Sequence, residues 1–361
     1  MFKKGIILLL IIMINISAIG CSNKKPIGKD LEKEMKFNQS IAKQIILNYM
    51  SYLKQGDFES ARNLCSPNLV NKNKEIYNDE MGVYSYKILE TSQRSDIVTI
   101  KVLVNRSKRG KPQTGLDTIT FKLKQNQDNL YEIVSAVGAT KCEVYVEKGI
   151  LKLLDRGNKE PSAKDIIKLQ GLPKVIYVNV DKSDVKLNVP NKEFSGADFS
   201  LSLDKVAISS TDGKDSFIGI AVIDEAIEVQ GKSGEEEKSE NGNGENGGKE
   251  ICRKLIALDI YRSTKIEEMY FSEEDNYLIV ETISKENVKD MKIYDINTEL
   301  QIETKFKEIF PNNKYELFFV SNAGVNSIIF DVKAKPEVSE IRRDVLGKYK
   351  INLKELKIEK I

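Results

Sequence analysis

Histidine and tryptophan are absent from this sequence of 361 residues. Histidine is the most common general acid or base near neutral pH. Its absence excludes Ser-His-Asp and Cys-His catalysis, metal sites that use histidine, and the zinc peptidase motif. A phosphate-binding glycine loop is missing as well, because Gly242 and Gly244 lie in a polar segment rather than between a strand and a helix. We therefore predict no catalytic residue, no cofactor and no metal site.

Cysteine is scarce, and neither positive nor negative charge is in clear excess. The cysteines lie far apart without a C-x-x-C spacing, which argues against a zinc site or a dithiol redox motif. They are Cys21, Cys65, Cys142 and Cys252. Lys and Arg number 56 against 54 Asp and Glu, and a net charge of +2 provides no general case for a nucleic-acid partner.

What is present is the composition of a globular protein, with 40% hydrophobic and 30% charged residues. A chain of this length is typical of about two domains. Beyond the first twenty residues, no apolar run approaches the ~20 residues that a membrane-spanning helix needs.

Residues 1–20 have the pattern of a secretory signal peptide. Lys3 and Lys4 precede the short apolar segment Ile6–Ile16, and small residues then lead to Cys21. This order resembles a bacterial lipoprotein signal. The resemblance implies cleavage before Cys21, lipid (palmitate) on its thiol, and a protein anchored on the extracytoplasmic face of the cell membrane. A plain cleaved signal and an uncleaved anchor are the alternatives. We interpret the polar residues 21–36 as a tether.

Residues 37–140 are predicted to form an α+β domain. Apolar residues at four- and three-residue spacing predict a helix, which Gly56 ends and after which Asp57 caps a second helix. That apolar face comprises Ile41, Ile45, Tyr49 and Tyr52. Alternating strands follow, with a hairpin turn at 127–129. The helices and hairpins resemble the NTF2-like superfamily, which implies a curved sheet around the helices. No catalytic signature comes with the resemblance.

Residues 141–361 are predicted to form an all-β domain of repeats. Three passages share an aromatic residue, a polar turn, an apolar strand, a loop and a second strand that ends in Asp. They begin at Phe199, Phe271 and Phe310. This pattern resembles the blades of TolB-type or WD-type β-propellers, in which stacked copies bury one another's faces. A β-sandwich is the alternative. Residues 144–155 are a weaker fourth copy, a hairpin about Lys148 and Gly149.

Residues 231–250 interrupt these repeats with a segment of Gly, Glu, Asn, Ser and Lys. A segment without apolar residues cannot offset the entropy cost of ordering. We therefore predict a disordered insertion at 231–250, and interpret Glu235, Glu236 and Glu237 as a solvated acidic run rather than a calcium site.

The chemistry in the sequence favours binding over catalysis. The basic segment from Arg106 to Lys111 could face an anion or a wall polymer, or simply keep a loop soluble. We predict a membrane-anchored binding or scaffold module, not an enzyme, with an envelope protein, a wall component or a small ligand as partner. The alternative is an envelope enzyme that uses paired carboxylates. Two acids that converge in a deep pocket would favour that alternative.

Overall fold

The computed structural model describes residues 39–72, 81–157, 160–180, 183–223, 250–336, 338 and 340–361. The expected signal peptide, Cys21, the tether and residues 231–249 of the predicted insertion lie outside these ranges. Within them, no helix combines the length and the apolar composition that crossing a membrane requires.

Three helices precede the strands: α1 (Gln39–Gln55), α2 (Phe58–Asn63) and α3 (Pro67–Lys72). Gly56 follows α1 with a φ of 72°, a left-handed conformation that glycine adopts without strain, so it ends the helix as predicted. Asp57 caps α2 by accepting a 3.0 Å hydrogen bond from the Ser60 N–H, which is also as predicted.

The buried face of α1 differs from the predicted one. Ile41 is 47% exposed, whereas its neighbour Ala42 is fully buried. One residue along a helix turns the side chain by 100°, so the face that meets the sheet lies beside the predicted apolar stripe. Its buried residues are Ala42, Ile46, Tyr49 and Met50.

The strands after the helices form one six-stranded antiparallel sheet in chain order. They are β1 (Gly82–Arg94), β2 (Ile97–Ser107), β3 (Thr114–Gln125), β4 (Tyr131–Glu147), β5 (Ile150–Asp155) and β6 (Ser162–Lys168). The predicted turn at 127–129 joins β3 to β4, and Lys148–Gly149, both with positive φ, joins β4 to β5. Both sequence-predicted hairpins are confirmed.

A two-stranded hairpin, β7 (Val175–Val180) and β8 (Ser183–Asn188), leads to three four-stranded antiparallel sheets, here called the first, second and third blades. The first blade has β9 (Glu193–Phe199), β10 (Lys205–Thr211), β11 (Ser216–Ile223) and β12 (Cys252–Tyr261). The second has β13 (Thr264–Phe271), β14 (Tyr277–Ser284), β15 (Lys289–Asp295) and β16 (Leu300–Gln301). Helix α4 (Phe306–Ile309) precedes the third, which has β17 (Tyr315–Asn322), β18 (Ser327–Ala334), β19 (Gly347–Asn352) and β20 (Lys357–Lys360).

Neighbouring sheets share their hydrophobic cores in chain order. Leu116 and Val144 of the six-stranded sheet lie in one cluster with Phe217 of the first blade. A second cluster joins the first blade to the second, and a third joins the second to the third. Stacked four-stranded sheets of this kind are the building principle of a β-propeller, so the described β domain is propeller-like.

The expected α+β fold class, with an NTF2-like domain of helices wrapped by a sheet, is wrong. The described residues contain twenty strands against four α-helices, and three of those helices have six residues or fewer. The expected end of that domain at residue 140 falls inside β4, which continues and pairs with β5. The reason is that the buried pattern of the strand continues through Cys142 and Val144, which pack against the first blade. Successive four-stranded meanders also differ from the two facing sheets of the alternative, a β-sandwich.

The predicted repeats are equivalent in two blades but not in the third. Phe199 ends β9 and Phe271 ends β13, and both side chains are fully buried. The same turn follows each: the hydroxyls of Ser200 and Ser272 accept 3.0 Å hydrogen bonds from the backbone N–H five residues later. Phe310 instead follows helix α4, so the third passage begins at a helix end rather than a strand end.

Candidate functional site

A crevice of about 540 Å³ lies where α1, the six-stranded sheet and the second and third blades meet. Residues from the end of α1, from β1, from the β2–β3 loop and from both blades line it. The lining residues that bear charges or rings are Lys54, Tyr84, Arg109, Glu268, Tyr270, Glu281, Phe318, Phe319, Asp331, Lys333 and Lys348. A concave site with several convergent polar groups is the usual place for a ligand.

Two carboxylates lie side by side on the wall formed by the second blade. Glu268 of β13 and Glu281 of β14 are direct cross-strand partners and are only 8% and 6% exposed. Side chains in that relation lie on the same face of the sheet, within about 5.5 Å at Cβ. The Arg109 guanidinium forms an ion pair with Glu268, and the Phe319 N–H donates a hydrogen bond to Glu281 Oε1. We call Glu268 and Glu281 the carboxylate pair.

Burial and like charge together disturb the ionisation of Glu281. Removal from water, followed by the negative charge of Glu268, raises the pKa of Glu281 to about 8. Arg109 and Lys54 oppose that increase with their positive charges. A carboxyl that keeps a proton at neutral pH is a feature that functional sites share with buried structural networks.

Three aromatic rings form a second wall of the crevice. The Tyr84 and Tyr270 ring centroids are 5.1 Å apart, and those of Tyr270 and Phe319 are 4.6 Å apart. The Lys54 ammonium lies 4.1 Å from the Phe319 centroid and 5.2 Å from the Tyr270 centroid, within the range of a cation–π interaction. Burial lowers the pKa of Lys54 to about 7, against the attraction of Glu281 and Glu268. We call Tyr84, Tyr270 and Phe319 the aromatic platform.

A buried aspartate connects the six-stranded sheet to the first blade beside the crevice. Asp198, 1% exposed, accepts hydrogen bonds from Asn105 Nδ2 at 2.9 Å and Ser107 Oγ at 3.1 Å. The same Asn105 amide donates to the Phe199 carbonyl at 2.7 Å. Burial raises the pKa of Asp198 to about 7. Because both donors come from β2, this network positions the sheet against the blade.

Two arginines of the basic segment singled out in the sequence form ion pairs with acids of the chain. Arg106 Nε lies 2.6 Å from Asp117 Oδ2, and Arg109 is paired with Glu268. The Gly110 N–H donates to the Glu267 carbonyl at 3.2 Å, so the loop is attached to β13. The loop therefore joins the six-stranded sheet to the second blade.

Other hollows also occur in the described parts of the chain. One of about 410 Å³ lies between α1 and the six-stranded sheet, with mostly apolar walls and the Arg106–Asp117 ion pair. Another of about 690 Å³ is lined in part by Asp259, whose Oδ2 accepts a 2.8 Å hydrogen bond from the Tyr294 hydroxyl. The described residues contain no group of three or more acids or cysteines arranged for a metal ion.

Sequence reasoning missed Lys54 and the carboxylate pair. The signal was a charged residue inside an apolar strand: Glu281 follows Leu278, Ile279 and Val280 directly. Acids are rarely buried without partners, so such a position calls for a neighbouring cation or a retained proton. Cys21, the predicted lipid attachment residue, lies outside the described residues.

No protein-family model matches this chain, and no curated protein matches it. Among solved structures, Hsv2 from Kluyveromyces lactis is 11% identical, with 74% of this chain and 96% of that chain covered and a TM-score of 0.23. TolB from Acinetobacter baumannii is 10% identical, with 70% and 77% covered and a TM-score of 0.20. The periplasmic gluconolactonase PpgL from Pseudomonas aeruginosa is 9% identical, with 74% and 82% covered and a TM-score of 0.21. TM-scores this low do not establish a shared fold.

Proposed function

We propose that this chain is a lipid-anchored extracytoplasmic protein that acts by binding, with the crevice as its binding site. The observation that carries the proposal is the crevice itself, where rings and charges from four separate parts of the fold converge on about 540 Å³. The partner is an envelope protein, a wall component or a small ligand, and the signal pattern at Cys21 supports the location.

The contacts of the charged groups support binding rather than chemistry. Glu268 is neutralised by Arg109, Glu281 accepts the Phe319 N–H, and the Lys54 ammonium lies on the platform. Ser107, which lines the crevice, donates a hydrogen bond from its hydroxyl to the buried Asp198. Glu268, Glu281 and Ser107 are held in place by these contacts, as a preorganised recognition surface requires.

A second candidate function is an envelope enzyme of carboxylate chemistry, and the carboxylate pair favours it. A carboxyl that keeps its proton beside a second carboxyl is an arrangement used for general acid and base catalysis. The test is the release of reducing ends from purified cell-wall glycan. Release that is lost in both Glu268→Gln and Glu281→Gln would replace the binding proposal by this one.

Site-specific crosslinking in intact cells tests the binding proposal. A photoreactive amino acid at Val320, which lines the crevice, should capture a specific adduct. The same residue at Val137, which is 66% exposed on β4, is the control and should capture none. Equal capture at both positions, or capture at neither, would contradict the proposal.

A further inference from the structure

The aromatic platform and the carboxylate pair together form a site for a cation. Ring faces attract cations most strongly where water is excluded, and Tyr270 and Phe319 are 5% and 6% exposed. The carboxylate pair lies on the neighbouring wall, and Glu281 and Glu268 both act to raise the pKa of Lys54 against the effect of burial. In the structure, a lysine of the chain itself fills this site.

We propose that the crevice recognises the ammonium group of an organic cation, and that Lys54 occupies the place of that group until the ligand displaces it. The proposal rests on the proposed binding function and adds the class of ligand. Quaternary and primary ammonium groups are the natural occupants of aromatic walls backed by acids.

The position of Lys54 makes such an exchange physically accessible. It lies in the last turn of α1, two residues before Gly56, and its long side chain reaches the rings from the edge of the crevice. A flexible four-carbon stem can withdraw without movement of the helix. The crevice is far larger than one ammonium group, so it has room for the remainder of a ligand.

The competing explanation is that Lys54 is a permanent structural contact. Such a contact would stabilise the junction between α1 and the two blades, and no external cation would compete with it. The two explanations differ in whether an added cation binds in competition with Lys54, because an exchangeable lysine yields its place to the cation and a permanent structural contact does not.

The experiment measures choline binding by calorimetry to the full chain carrying Lys54→Ala. Choline should bind at least tenfold more tightly to this variant than to the wild type, because no internal ammonium competes. Its uncharged isostere, 3,3-dimethylbutan-1-ol, should bind at least tenfold more weakly than choline. Lys43→Ala removes an exposed lysine from the same helix and is the matched control, with wild-type binding.

Equal choline affinity for Lys54→Ala and the wild type, or equal affinity for choline and its isostere, would overturn the proposal. If Lys54→Ala does not fold, Lys54→Met, which keeps the apolar stem, takes its place. A further measurement uses the wild type: its weak choline binding should be lost in Phe319→Leu, and retention would contradict the proposal.

The crosslinking experiment separates this inference from the proposed function. Capture at Val320 that choline does not compete away, in the wild type and in Lys54→Ala, would leave the binding function in place and exclude an ammonium ligand. Absence of capture at Val320 would remove the binding function itself.

Discussion

Replacing Glu281 by glutamine should make the protein more stable at pH 7, although it removes a buried carboxyl that accepts a hydrogen bond from the Phe319 N–H. The folded protein raises the pKa of Glu281 from an ordinary 4.5 to about 8, chiefly by burial. Between these two values the folded state holds a proton that the unfolded state has lost, so stability falls as pH rises through the window. Glutamine keeps the size of the side chain and an oxygen for the Phe319 N–H, but it has no proton to lose.

The size of the stability difference follows from the pH range between the two pKa values of Glu281. Each pH unit costs about 1.4 kcal/mol, so wild-type stability at pH 7 is lower by about 3 kcal/mol than at pH 4.5 through this group alone. Glu281→Gln should therefore match the wild type at pH 4.5 and exceed it by up to about 3 kcal/mol at pH 7. Asp198 is present in both proteins, so its titration largely cancels in the difference, whereas Lys54 loses the attraction of Glu281 in the variant.

Urea unfolding at several pH values between 4.5 and 8, followed by far-UV circular dichroism, measures this difference. Glu303→Gln, at an exposed glutamate, is the control and should show the same small difference at every pH. The reasoning would be refuted if Glu281→Gln were less stable than the wild type at pH 7 but not at pH 4.5. That result would mean that Glu281 is ionised in the folded protein and held by Lys54 and Arg109.

Two further predictions concern the lipid anchor at Cys21 and the repeats that begin at Phe199 and Phe271. Cys21→Ala should lose the fatty-acid label that metabolic labelling places on the wild type, because a lipoprotein carries its acyl chains on that cysteine; equal label on both would exclude attachment there. Phe199→Ala and Phe271→Ala should each lower the free energy of unfolding by about 3–5 kcal/mol, because both rings are fully buried at equivalent strand ends. Urea unfolding of the full chain measures this, and a neutral effect of either one would show that the two positions are not equivalent.

Local features of the fold could be predicted from the sequence because they depend on neighbouring residues. Gly56 ends α1 through its own backbone freedom, and Asp57 caps α2 through a contact three residues away. The turn after Phe199 and the turn after Phe271 repeat one hydrogen-bond pattern within six residues. Helix ends, caps and turns of this kind depend on residues a few positions apart, so the sequence predicts them directly.

The predicted fold class was wrong because it depended on where the hydrophobic core of the first domain ends. The alternating pattern of β4 shows that one face of the strand is buried, but not what covers it. In the structure the first blade packs against Cys142 and Val144, so the six-stranded sheet extends beyond residue 140. The third passage has the predicted buried aromatic residue before a turn and two strands, but tertiary packing places α4 before Phe310, where a strand precedes Phe199 and Phe271.

Only the tertiary structure determines which residues come together in the crevice. Lys54, Arg109, Glu268 and Phe319 lie on four elements that are distant in the sequence, and each takes its role from the others. A lysine at a helix end or an acid within a strand has an ordinary pKa until burial removes water and brings a partner. Residue order determined the turns and hairpins, because those form between near neighbours. The stacking of the sheets determined the site, because desolvation and charge act only where distant surfaces meet.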